Sequence, residues 1–431
     1  MRRCKLLIMC VGTAFLSVWP TFSAKAQVTD ALGAYSPYSM YGIGQLDMQG
    51  TASNMMMGGI GVGTRDHSYI NALNPAAVTA RDSLAFMMDF GAYQKNIFLS
   101  DSRTTAAYNV FNMQNITISV PITKKNSGLI IGLAPFSNVG YKFLTKETRS
   151  DLLASYGDIT YQKYGTGGIY QVFAGIGWTF FDRLSVGAEG IYYFGKMKLM
   201  SDAIFGNSSM NSIYTGWQYQ VHCFSGKFGV QYELPLKSSQ SVLTFGATYR
   251  LGNDMKGDVT RYAYTGTDTI RVENFNSLRP KIASEIGLGV SWRRPRMMLG
   301  FDYIRQDWRT SAFKEYRSDL DFDPSLAQSF RFGAEFTPNK NDVRYYLKRV
   351  TYRAGTYYDR SYISVDGEQV VSYALTLGAA FPISRLGTDI SVAVELGQRG
   401  TVKSDLVRET FVNLVFNVNL YDIWFMKYFY D

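Results

Sequence analysis

The sequence predicts an all-β protein: a roughly 14-stranded antiparallel transmembrane β-barrel with an N-terminal hatch, or plug. Three observations predict it. The first is composition, since only 18% of the 431 residues are charged while 15% are aromatic, with 40 Gly against 11 Pro. A soluble chain carries about a quarter charged residues, and 46% hydrophobic content is too high for disorder. A slightly negative mean hydropathy leaves no room for several helical spans of about 20 apolar residues each. The second is period-two alternation. In Asp389 to Gly397 the residues Ile390, Val392, Val394 and Leu396 alternate with Ser391, Ala393, Glu395 and Gly397, as a strand with one apolar and one polar face requires. The third is that connections alternate between short and long, which separates a membrane barrel from a soluble sandwich.

The chain divides into four segments. Residues 1-26 read as a secretory signal peptide: Arg2, Arg3 and Lys5, then an apolar run from Leu6 to Trp19, then Ala24-Lys25-Ala26 before Gln27. Its removal takes four basic residues and lowers the formal charge from +9 to +5, which is no evidence for nucleic acid. Cys4 and Cys10 leave with it, so Cys223 has no internal disulfide partner. Residues 27-82 form the expected hatch, 83-421 the barrel, and 422-431 a short C-terminal tail.

Strands are expected to begin near residues 84, 111, 128, 167, 184, 216, 241, 280, 296, 328, 348, 370, 386 and 410. Short turns fall around 123-127, 181-183, 234-240, 293-295, 339-347 and 384-385. Long loops fall around 95-110, 144-166, 197-215, 252-279, 308-327, 360-369 and 398-409. The pattern predicts a cell outer membrane of Gram-negative type, with the short end and both termini periplasmic. If the apolar face meets lipid, parity turns Glu189, Lys227, Arg250, Glu285, Asp302, Arg331, Glu335, Arg353 and Glu395 into the lumen. Both signs are present, which favours inter-strand salt bridges over an ion-selective ring. Tyr192, Tyr193, Phe194, Trp292, Tyr303, Trp308, Tyr357, Tyr358 and Trp424 suit interfacial girdles.

Catalytic patterns are weak, so no enzyme activity and no cofactor are expected. His67 and His222 are the only histidines, too few for a His-rich zinc site, and His222 and Cys223, adjacent in a strand, face opposite ways; no metal site is expected. Gly190 to Lys196 matches G-x-x-x-x-G-K, but Met197 stands where Ser or Thr would hold magnesium. Asp66 beside His67 reads as a hatch hydrogen-bonding pair.

The segment before the first strand holds the glycine run Gly58, Gly59, Gly61 and Gly63, then Asp66, then Asn74-Pro75-Ala76. With the signal peptide, plug position and strand number, this resembles the N-terminal hatch of the FadL family of outer-membrane transporters. The resemblance covers the mature chain. It implies a passive channel for hydrophobic compounds such as long-chain fatty acids, working by hatch movement and lateral release at a kinked third strand. Pro135 lies in the third expected strand and cannot donate a ladder hydrogen bond; it marks either that lateral opening or only a bulge. Departures are Ser36-Pro37-Tyr38-Ser39 ahead of the glycine run and an acidic end at Asp431, which puts the assembly signal at Phe416 to Tyr421. The implied partners are a hydrophobic small-molecule ligand, outer-membrane lipid and, during insertion, the barrel-assembly machinery, with the barrel a monomer. The alternative is a FadL-type barrel in protein secretion, similar to the type IX shuttle, or another outer-membrane interaction role.

Overall fold

A computed structural model describes residues 33-82, 84-101, 105-123, 126-207, 209-236, 240-266, 268-275, 280-313, 320, 322-384, 387-402 and 406-423. The signal peptide, Trp424 and most of the expected tail lie outside these. Fourteen antiparallel strands close into a barrel. They are β1 (Ala85–Ser100), β2 (Thr105–Pro121), β3 (Ser127–Lys146), β4 (Ile159–Phe180), β5 (Leu184–Phe205), β6 (Ile213–Leu236) and β7 (Ser241–Arg250). The second half is β8 (Glu285–Arg294), β9 (Met297–Asp307), β10 (Leu326–Phe336), β11 (Thr351–Val365), β12 (Glu368–Pro382), β13 (Asp389–Arg399) and β14 (Arg408–Ile423). Each pairs with the next, and β14 closes on β1 from Ala85↔Ile423 to Ser100↔Arg408.

Alternation decides which face meets lipid. Phe228, Val230 and Tyr232 of β6, and Tyr373, Leu375 and Leu377 of β12, point outward and are exposed, while their neighbours are buried. Exposed apolar side chains continued around a closed sheet form a surface suited to a bilayer.

Several expected long loops are instead strand. Between β1 and β2 only residues 101-104 connect, and between β11 and β12 only Asp366-Gly367. The expected loop at 252-279 holds a hairpin, Lys256–Thr265 with Asp268–Asn274, whose first arm pairs with β6 from Lys256↔His222 to Thr265↔Ile213. Strands that rise past the lipid band lose their one-sided apolar pattern, so period-two reading sees them as loop. Three expected girdle residues also face inward. Tyr193 packs on Phe136, Trp308 on Tyr362, and the Tyr357 hydroxyl donates to Glu395 at 2.5 Å.

The hatch threads the interior. It contains a 3-10 turn (Pro37–Met40), a two-residue strand (Gln45–Leu46), a short helix (Ala52–Met55) closed by a Thr51/Asn54 capping box, and a second 3-10 turn (Pro75–Ala80). Room for it comes from glycines aligned across the wall. Gly128, Gly177, Gly187 and Gly229 are register partners on β3 to β6, Gly246 and Gly289 on β7 and β8, and Gly300, Gly333 and Gly355 on β9 to β11. A Cβ at Gly246 would overlap the Val62 carbonyl. Side chains are therefore absent where hatch backbone touches wall backbone.

Candidate functional site

Three features make up the site: the hatch anchors, a chamber beside the hatch, and the seam between β2 and β3.

The glycine run is held by a carboxylate. Asp302 on β9 accepts the backbone N–H of Gly61 at 2.6 Å, Val62 at 2.7 Å and Gly63 at 3.3 Å. Successive N–H groups of a Gly-rich turn form an anion nest, and here the anion is the barrel's own side chain. Arg331 Nη1 donates to the Gly59 carbonyl at 2.9 Å, and Gly58 N–H donates to Thr376 Oγ1 at 3.0 Å. The Asn74-Pro75-Ala76 motif is a second anchor. The Asn74 side chain caps its turn by accepting the Ala76 N–H at 3.0 Å, and it donates to the Val62 carbonyl at 2.9 Å and the Val230 carbonyl of β6 at 3.3 Å. One asparagine thus joins the two halves of the hatch to the wall. Charged ties complete the set: Arg65 with Glu233 at 2.9 Å, and Arg293 with Asp66. Burial alone would push the Asp66 carboxyl up, but the Arg293 guanidinium holds it well below the usual range.

All nine charges assigned to the lumen by parity are buried on the interior face. Four form one row across adjacent strands, Glu189↔Lys227, Lys227↔Arg250 and Arg250↔Glu285. Arg250 and Glu285 are 3.3 Å apart, Arg353 and Glu335 3.0 Å. Glu395 accepts from Tyr357 and from Asn413 at 2.8 Å. Although Lys227 and Arg250 are like-charged neighbours, each has an acid on its other side, so the row mixes signs rather than presenting a ring of one sign.

The chamber has a volume of about 180 Å³ and lies between the hatch and the long-loop end. Its wall mixes Leu46, Met48, Met55, Leu73 and Phe411 with Asp47, Lys95, Arg360, Glu395 and Arg399. Asp47 accepts from Asn138 at 2.6 Å, and Lys95 sits 4.5 Å from the Phe411 ring centre. Burial pushes the Asp47 carboxyl up to about 6, opposed by Lys95. Asp47, Lys95 and Arg399 were not singled out from sequence. Parity could have offered Lys95 and Arg399, but no periodicity exists in the hatch to point to Asp47.

The seam is where the wall is incomplete. β2 and β3 pair only from Pro121↔Gly128 to Ile116↔Leu133, although β2 starts at Thr105 and β3 runs to Lys146. Pro135 lies just beyond the last pair, at a register shift between Pro135 and Ser137 in the β3–β4 ladder. From Ala134 to Tyr141 every residue is buried, so alternation is lost and this stretch is enclosed on both faces. The hatch replaces β2 as partner. Gln45 and Leu46 pair with Asn138 and Ser137, Asp47 N–H donates to the Phe136 carbonyl at 3.0 Å, and Ser36 N–H to the Gly140 carbonyl at 2.9 Å. From the other side, Asn112 donates to the Gly33 carbonyl at 2.6 Å, Gln114 to the Met48 carbonyl at 2.8 Å, and Tyr108 stacks on Tyr35. The Ser36-Pro37-Tyr38-Ser39 stretch, which departs from the family pattern, belongs to this filling.

Solved structures share the architecture. The P. putida toluene transporter TodX matches with a TM-score of 0.57 at 16% identity, covering 88% of this chain and 100% of that one. The Ralstonia pickettii toluene transporter TbuX gives 0.54 at 13%, covering 86% and 98%, and a Pseudomonas aeruginosa FadL homologue 0.52 at 12%, covering 88% and 99%. At such identity the likeness is one of fold. No curated protein sequence matches the chain. A family model described as BamG matches residues 9-431. A FadL-type barrel in fold, the chain belongs to the BamG family.

Proposed function

We propose that this protein is a closed, non-enzymatic outer-membrane barrel that acts through contacts with other membrane components in barrel assembly. The observation that carries the reading is the state of the interior. The hatch backbone lies against wall glycines on most strands and is fixed by Asp302, Arg331 and Asn74. The chamber beside it is partly charged, and at about 180 Å³ it is smaller than the roughly 300 Å³ at which ligand pockets begin. An interior so tied supports a scaffold better than a conduit. The BamG family match over nearly the whole chain points to barrel assembly, whereas the toluene transporters share only the fold. In this reading the short-turn end and both termini face the periplasm. The test is depletion of the protein, followed by quantification of heat-modifiable, folded barrels of unrelated families. A fall across families is expected; unchanged levels contradict the proposal.

The uptake reading keeps a specific observation of its own. The β2–β3 seam brings the chamber wall beside lipid with only hatch residues between. A hydrophobic compound with a polar head would match the mixed lining, its acid near Lys95 and Arg399. Uptake of labelled fatty acid and of toluene by wild-type and deletion strains tests this, and equal uptake excludes the solute tested.

A further inference from the structure

The short-turn end carries one connection unlike the others. Residues 337-350, between β10 and β11, form the longest link at that end, where residues 181-183 and 295-296 suffice elsewhere. The link is ordered by its own polar groups. Asp342 accepts the backbone N–H of Arg344 at 2.9 Å and of Tyr345 at 2.7 Å, Asn339 N–H donates to the Lys348 carbonyl at 2.8 Å, and a 3-10 turn runs from Tyr346 to Lys348. It is also bound to the outside of the wall. The Tyr346 hydroxyl donates to the Pro382 carbonyl at 3.1 Å, and the hydroxyl of Tyr352 donates to the Leu347 carbonyl at 3.2 Å. Tyr352 is the register partner of Phe336, and both belong to the outward, exposed band.

An ordered polar turn in water has no need of bare apolar side chains. This one leaves Val343 89% exposed and Leu347 65% exposed, with Tyr345 and Tyr346 about half exposed. Among them stand Lys340, Arg344, Lys348 and Arg349 against the single acid Asp342. The cations are gathered over the aromatic rings: Lys348 lies 4.6 Å and Arg344 5.3 Å from the Tyr345 ring centre, and Arg349 4.9 Å from that of Tyr346. Arg349 Nε is buried without a hydrogen-bond partner among the described residues. Apolar tips, aromatic rings and basic groups at one level are the composition of a bilayer interface. There rings sit among headgroups and basic side chains meet phosphate.

We propose that residues 337-350 form a membrane-seated site for the phosphate of an anionic phospholipid. Val343 and Leu347 enter the acyl region, and Arg344, Lys348 and Arg349 hold the headgroup. Two features favour lipid over a protein partner: the apolar tips continue the lipid-facing band through Phe336 and Tyr352, and the charge excess is of the sign that attracts anionic headgroups. The site rests on the membrane reading of the barrel and not on a role in assembly, so either can fail without the other.

The test uses the full-length mature barrel, released from mild detergent in native mass spectrometry after exchange into mixed phosphatidylcholine and phosphatidylglycerol. Wild type should retain phosphatidylglycerol several-fold over phosphatidylcholine. The triple variant Arg344→Gln/Lys348→Gln/Arg349→Gln should lose that preference, while Arg271→Gln in the loop hairpin at the opposite end keeps it. Heat-modifiable migration shows that each variant is folded. Equal retention of the two lipids by wild type, or an unchanged preference in the triple variant, overturns the proposal. A second readout places an environment-sensitive label at Val343→Cys in a Cys223→Ser background, in nanodiscs containing brominated lipid. Strong quenching is expected. Absence of quenching, or a Val343→Cys label that cross-links only to protein in native membranes, overturns the lipid assignment.

Discussion

Asp302 shows how much of the hatch depends on single side chains. Its carboxylate answers three buried N–H groups of the glycine run, and leaving a buried donor unpaired costs about 1–3 kcal/mol. Asp302→Ala should therefore weaken hatch anchoring by at least about 3 kcal/mol, read as faster amide exchange at Gly61, Val62 and Gly63 with the barrel amides unchanged. Asn74→Ala removes a cap and two further bonds, so a loss of roughly 2 kcal/mol is expected, spread to both Val62 and Ala76. Asp47 gives a pH dependence. Burial raises its carboxyl to about 6, above the unfolded value. A group raised in this way stabilises the folded arrangement fully below the unfolded pKa, and that contribution is lost as pH rises through about 6. Exchange over residues 45-49, corrected for intrinsic rate, should be slower at pH 5 than at pH 7.5, and Asp47→Asn should remove the difference. The Asn74-Pro75-Ala76 motif was visible in the sequence, but the wall acceptor that ties it to the barrel, the Val230 carbonyl of β6, lies far along the chain.

At the scale of elements, the fourteen strands were legible because lipid on one side and packed polar groups on the other force alternation. Starts at 184 and 241 coincide with β5 and β7, and most others fall within a few residues. Where both sides of a strand see water or both see protein, the signal goes. That explains the missed upper parts of β4 and β5 and the hairpin at Lys256–Thr265. It also explains β3, whose Ala134 to Tyr141 stretch is buried throughout. Pro135 could be seen as unable to bond in a ladder, but the replacement of β2 by the hatch as its partner could not. The seam makes a prediction of its own. A Cβ at Gly140 would overlap the Ala34 carbonyl, so Gly140→Val should displace the Gly33 to Ser36 segment. A thiol label at Asn112→Cys, in a Cys223→Ser background, should then react faster from the bilayer side. An unchanged rate would show that Gly33 to Ser36 does not cover that strand.

For the whole molecule, the composition acquires a physical account. Few charges reflect an outer face fitted to lipid, and the charges inside are of both signs, as in the row from Glu189 to Glu285, where an acid flanks each end of the Lys227–Arg250 pair. Glycine is abundant because the hatch and wall approach backbone to backbone along aligned positions on most strands. From such a close fit, anchored by Asp302, Arg331 and Asn74, we infer that the hatch seals the barrel. Sealing is the central claim, and ion conductance in a planar bilayer tests it most directly. The account predicts that the full mature chain gives no stable open level, while deletion of residues 36 to 76 leaves an inserted barrel with large, steady conductance. Stable open levels in the full chain equal to those of the deletion would contradict it.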